Sequence, residues 1–247
     1  MKLFATRRSK ILAAVIGLPV MYVGAVGFAH TPKGRPLLPY LGLGGAVTGG
    51  CPVDKYATPE TMEKHRFEAM QLLKGDGKAA SVDALGFVLG KTTKDDLEAW
   101  AKAKHVTCTS RPKDLAIDCQ DVPANVFQPA FGTGFDSMFL RFDTQTPPRL
   151  AAIDAQVRDT SDDAHAAVAG YEGIAKQLET RLGPPTTVRG EHSSEFLKGA
   201  PFRMGLLEYR FDDLAVDVST LSMNEGRVLL RVQYRSIPKA PSSAGPT

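Results

Sequence analysis

Leu207, Tyr209 and Phe211 alternate with Glu208 and Arg210, and Leu214, Val216 and Val218 alternate with Ala215, Asp217 and Ser219. Strict alternation has the period of a half-buried strand, because successive side chains leave a strand on opposite faces. Asp212-Asp213 supplies a two-residue turn between the runs. That turn sets Phe211 opposite Leu214, Tyr209 opposite Val216 and Leu207 opposite Val218, all on one face. A third run puts Val228, Leu230, Val232 and Tyr234 on one face and Arg231, Gln233 and Arg235 on the other. One apolar and one wet face describe an antiparallel sheet covered on one side. A helix capped by Ser161 can cover it. Ala164, Ala167, Val168, Tyr171, Ile174, Leu178 and Leu182 recur at helical spacing, Asp162 and Asp163 fall in the first turn, and Gly183-Pro184-Pro185 ends it. The class is α+β, with antiparallel sheets and helices packed on one face.

Upstream, Thr58-Pro59-Glu60 starts a helix that runs to about Lys74, where Gly75 stops it. Ala84–Leu89 reads as a short strand. Thr93 with Asp96 forms a capping box for a helix that sets Leu97, Trp100 and Ala101 on one face and ends near Lys104. Ser137–Asp143 and Arg149–Thr160 read as two further strands. The chain therefore divides into a helix–strand–helix–hairpin block (58–122) and a strand–helix–meander block (137–237). No internal repeat shows in the residues themselves. Residues 238–247, PKAPSSAGPT, have the composition of a disordered tail.

The N-terminus adds a compartment. Lys2, Arg7, Arg8 and Lys10 precede Ile11–Ala29, 19 residues without a charge. As a helix this run spans about 28 Å, near the thickness of a bilayer core and long for a signal peptide. Residues 1–30 are read as a transmembrane signal anchor, with a signal peptide cleaved after Ala29 as the alternative. The basic flank puts the N-terminus in the cytoplasm if uncleaved, and the rest outside it. Residues 31–57, rich in Gly and Pro, serve as a tether. The net charge of +3 belongs to this segment: residues 1–35 hold six of the 30 basic residues and no acid. The exported part, with 24 basic and 27 acidic residues, shows no lysine or arginine tract, which argues against nucleic acid as a partner.

Export decides how the three cysteines are read. Arg111-Pro112-Lys113-Asp114 is turn-like, and a turn centred on Lys113-Asp114 places Cys108 opposite Cys119. In an oxidising compartment that pair should close as a structural disulfide. Cys51 follows Gly49-Gly50, as in lipidation signals, although Thr48 stands where a leucine-like residue is expected. It is a candidate lipidation site, with a free or intermolecular thiol as the competing reading.

Signals for chemistry are sparse. Gly86 to Lys91-Thr92 mimics a P-loop but has three residues between its glycines instead of four, so no nucleotide is expected. There is no GxSxG, HExxH or CxxC, and the five histidines never pair at ligand spacing. No metal and no cofactor is expected. Glu191-His192-Ser193-Ser194-Glu195 is a polar loop whose His192 and Glu195 are the side chains best able to do chemistry, though a solvated loop accounts for them.

Gly90-Lys91-Thr92-Thr93-Lys94-Asp95-Asp96-Leu97 resembles the Gly-x-Thr-x-x-acid-apolar turn of SmpA/OmlA-type envelope lipoproteins. Leu182-Gly183-Pro184 is similar to their Leu-Gly-x-Pro corner before a β-meander. The resemblance implies a small α+β module that assists outer-membrane protein assembly by protein contact. The expected function is therefore a membrane-tethered, extracytoplasmic envelope protein with a protein partner and no catalysis. An envelope hydrolase with an unidentified site, or a cell-wall or small-ligand binder, are the alternatives.

Overall fold

A computed structural model describes residues 59–111, 115–127 and 131–239. The signal segment, the tether with Cys51, residues 112–114 and 128–130, and the tail from 240 lie outside the described residues. No described helix is long and apolar enough to cross a membrane. The chain parts into two units at Lys64/His65. Of the first, only the opening of helix α1 (Pro59–Gln71) is described, and the second contains the sheet and its covering helices.

Eight strands form one antiparallel sheet in the order β3-β4-β5-β6-β10-β9-β8-β7. They are β3 (Thr107–Arg111), β4 (Ala116–Val122), β5 (Phe135–Phe142), β6 (Leu150–Asp159), β7 (Thr187–Arg189), β8 (Met204–Arg210), β9 (Leu214–Ser222) and β10 (Val228–Ser236). The strands fall into two meanders, β3 to β6 and β7 to β10. Each follows a helix, α2 (Lys94–Lys104) or α3 (His165–Leu182), and the two join where their last strands, β6 and β10, pair. The repeat that the residues hide is thus present in the topology. The antiparallel β6–β10 seam relates the two meanders by an approximate two-fold rotation.

The C-terminal meander has the expected register: Tyr209 pairs with Val216, Leu207 with Val218, and the Phe211 amide donates to the Leu214 carbonyl at 2.8 Å. Helix α3 lies over β6, β9 and β10. It buries Ala167, Gly170, Ile174 and Leu178 against the alternate residues Val216, Val218, Leu230, Val232 and Tyr234. Close approach depends on Gly173, because a Cβ there would stand 2.4 Å from the Phe131 carbonyl oxygen. Helix α2 packs on β3 and carries the expected capping box: the Thr93 hydroxyl accepts from the Asp96 amide and the Asp96 carboxylate accepts from the Thr93 amide. Trp100 leads into a run of ring contacts through Phe87 and Phe127 to Phe131 and Phe135 that fills the same side.

Three expectations are corrected. Ala84–Leu89 is not one strand but a hairpin of β1 (Asp83–Ala84) and β2 (Phe87–Val88), since Leu85 and Gly86 both take positive φ and turn the chain. Ser161 is not the residue next to the start of α3, although its hydroxyl accepts from the His165 amide at 3.3 Å. The Asp159 carboxylate binds the Ser161 amide and hydroxyl and, across the helix start, the Ala167 amide at 2.9 Å, so the helix begins at His165 and its first turn holds no acid. The 191–195 loop leads directly into a short helix, α4 (Ser194–Gly199), capped by Ser193.

Candidate functional site

Helix α3 lies on one face of the sheet, and the opposite face, called the open face below, is polar. Strand register composes that open face row by row. Arg111 pairs with Ala116, Ala116 with Arg141, Arg141 with Ala152, Ala152 with Arg235, Arg235 with Ala215, and Ala215 with Arg210. Arginine and alanine therefore alternate across seven adjacent strands. With strands about 4.8 Å apart, successive arginines stand roughly 10 Å from one another. Alanine between them avoids the like-charge repulsion of directly opposed pairs and leaves room for the guanidinium stems. Over Ala152 the gap is a cavity of about 150 Å³ whose walls include Phe139, Arg141, Gln233 and Arg235.

One row along, Asp118, Asp154, Asp217 and Glu208 hold the arginines in place. Asp217 takes Arg210 Nη2 at 2.5 Å and Arg235 Nη1 at 2.6 Å, with all three side chains less than one-fifth exposed. Glu208 accepts a second bond from Arg210 at 2.5 Å. Arg111 reaches Asp118 at 2.5 Å and lies 5.9 Å from the Phe139 ring centre. Asp154 takes Arg231 in a two-point grip and also Gln233 Nε2 at 2.7 Å. Burial acts to raise the Asp154 carboxyl, but the bonds from Arg231 and Gln233 and the Arg231 charge outweigh it and hold it below the usual carboxylate range. The same bonds raise the Arg231 guanidinium.

At the far margin of this face the register turns apolar. Leu229 pairs with Leu221 and Leu221 with Met204, while Arg158 stands opposite Leu229. Met204 is 48 % exposed and Phe202, two residues before it, 70 % exposed. Among the described residues, seven arginines and four acids belong to the open face. Folding thus builds a basic stripe from residues that are spread along the sequence. Phosphate recognition does not follow from it, because the acid row lies directly alongside.

The sequence-predicted residues lie elsewhere. Cys108 and Cys119 are register partners joined by a disulfide, with Cys119 fully buried on the covered side. His192 is on the covered side too. Its ring stacks on Tyr171 at 3.5 Å between centres, Nδ1 is 3.0 Å from Thr220 Oγ1, and a Cβ on Gly205 would come within 2.4 Å of it. Burial pushes the imidazole down to about 4 and the Tyr171 phenol up to about 12. Glu195 is exposed in the first turn of α4, and no hydrogen bond or ion pair joins it to His192. Nδ1 of His192 meets Thr220, and Nε2 is buried without a hydrogen-bond partner among the described residues.

A sign follows for acid stability. The folded state favours neutral His192, so its contribution is present above the unfolded value near 6.5 and is lost as pH falls towards about 4. The expected loss is about 2 kcal/mol, and His192→Phe should flatten that part of a stability–pH curve measured by urea denaturation.

A crevice of about 490 Å³ opens at the end of the sheet beside Asp136, Arg158 and Asp159. Two of its acids serve the backbone: Asp159 anchors the start of α3, and Asp136 accepts the Arg158 amide at 2.5 Å. Among the described residues no three His, Cys, Asp or Glu side chains are grouped to hold a metal ion.

No protein-family model and no curated protein matches the chain. Among solved structures, the di-domain ARO/CYC StfQ from the steffimycin biosynthetic pathway is similar over 57 % of this chain and 68 % of its own, at 11 % identity and a TM-score of 0.14. A likeness this slight carries no argument about fold or activity.

Proposed function

We propose that this protein is a membrane-tethered, extracytoplasmic component of the cell envelope that acts as a non-catalytic docking module through the open face of its sheet. The observation that carries the reading is the ordered lattice of arginines and acids on the sheet face opposite α3. Eight strands of this length present roughly 800 Å², the share one partner contributes to a standard protein interface. The depression over Ala152, at about 150 Å³, is smaller than the roughly 300–1,000 Å³ of ordinary ligand pockets, so the arginine row itself is no small-molecule site. Two further supports come from the sequence: the run Ile11–Ala29 with its basic flank, and the SmpA/OmlA-like residues. Gly90–Leu97 opens α2 and Leu182–Pro184 closes α3, so each borders a helix that leads into a meander.

The test uses the full chain in its native membrane with a photoreactive residue at Ser219, in the middle of the open face, or at exposed Glu172 on α3. Irradiation should give a discrete protein adduct from position 219 and none from 172. Equal yields from both, or none from either, would remove the docking reading. A phosphatase fused after Thr247 should be active, and an inactive fusion would remove the extracytoplasmic placement.

A further inference from the structure

We infer that the partner of the open face presents a surface with two chemistries side by side: acidic side chains opposite Arg158 and Arg189, and aromatic or branched aliphatic side chains opposite the strip formed by Leu229, Leu221 and Met204. This rests on the docking reading and specifies its partner. Arg158 on β6 and Arg189 on β7 flank this strip, with β10, β9 and β8 between them. At about 4.8 Å per strand, the two arginines are roughly 19 Å apart. One folded protein surface spans that distance, whereas a single bound carboxylate does not.

Charge decides the sign of the partner. The acids of the face are consumed internally, Asp217 by Arg210 and Arg235, and Asp154 by Arg231. The exposed Arg158 and Arg189 remain as positive points at the margins of the apolar strip, Arg189 reaching Glu208 only at 3.8 Å. A partner with acids around an apolar contact would therefore gain at both, while a basic partner would face uncompensated repulsion. The apolar strip supplies the desolvated centre that such an interface needs. Nucleic acid lacks the apolar complement to this strip.

The experiment takes the adduct formed from the photoreactive residue at Ser219 in the full chain and reads the attached peptide by tandem mass spectrometry. The expected peptide carries Asp or Glu within a few residues of Phe, Tyr, Trp, Leu or Ile. In parallel, Arg158→Glu with Arg189→Glu should lower the adduct yield about tenfold, and Met204→Ser about fivefold. Lys176→Glu on the helical side should leave it unchanged. Arg158, Arg189 and Met204 are exposed or marginal. Thermal melts of the variants within a few degrees of the parent will confirm that each is folded. A variant that fails this check is replaced by Arg189→Glu alone, whose expected loss is about threefold. An adduct to a basic peptide or to nucleic acid, or one whose yield ignores all the face substitutions, would overturn the partner assignment while leaving docking intact. Absence of any adduct from 219 would instead remove the docking reading itself.

Discussion

Replacing Ile174 with alanine should lower the stability of the domain by about 3–4 kcal/mol, the upper part of the range for truncating a fully buried isoleucine. Ile174 is 0 % exposed and stands in the middle of α3, the helix that covers β6, β9 and β10. The removed methylenes lose about 2–3 kcal/mol of transfer free energy. The rest is the cavity left behind, which the surroundings cannot close, because α3 is already held at close range by Gly170 and Gly173 against Thr133 and the Phe131 backbone. Urea denaturation checks the value. An effect under about 1 kcal/mol would mean that α3 is not the principal cover of the sheet. Because the substitution sits behind the sheet, adduct formation from the open face should persist wherever the variant is folded, separating stability from docking.

The helix and the three C-terminal strands were legible because each carries an unbroken period. Tyr209, Val216, Val232 and Tyr234 fall on alternate positions, and the Asp212-Asp213 turn fixes their register without reference to anything distant. The start of α3 misled because Ser161 is a good cap in isolation, while the buried Asp159 carboxylate claims both that serine and the Ala167 amide. Leu85-Gly86 misled for a related reason. A leucine at positive φ is disfavoured locally, yet its side chain is 2 % exposed, so tertiary burial offsets the strain. The arginine row could be read only in part. Arg210, Ala215 and Arg235 follow from the predicted C-terminal register. Arg141 and Arg111 join them only through the β6–β10 seam, a pairing between residues 79 apart such as Asp154 and Gln233. His192 drew notice as a chemically able side chain in a polar loop, and no local signal marks that its ring turns inward onto Gly205 and Tyr171.

Removing the Cys108–Cys119 bridge should cost about 3 kcal/mol, the chain-entropy value for a loop of this length, given a sequence separation of 11. The effect should exceed that of an ordinary surface crosslink for a positional reason. The bridge ties the outermost strand, β3, to β4, and β3 has four of its five residues exposed. A strand with so little burial gains little from packing, so its pairing to β4 depends heavily on the covalent tie. Loss of β3 would also release Arg111, the terminal arginine of the open face, from Asp118. Cys108→Ala/Cys119→Ala should therefore lower the melting temperature by roughly 6–12 °C. It should also raise amide exchange in β3 and β4 before the C-terminal meander opens. Reduction of the parent with dithiothreitol should reproduce both changes. Uniform exchange across all eight strands would show that the bridge acts on the whole sheet and not on its edge. An unchanged melting temperature in the double variant would show that packing alone holds β3, and would take away the reason for tying this fold to an oxidising compartment.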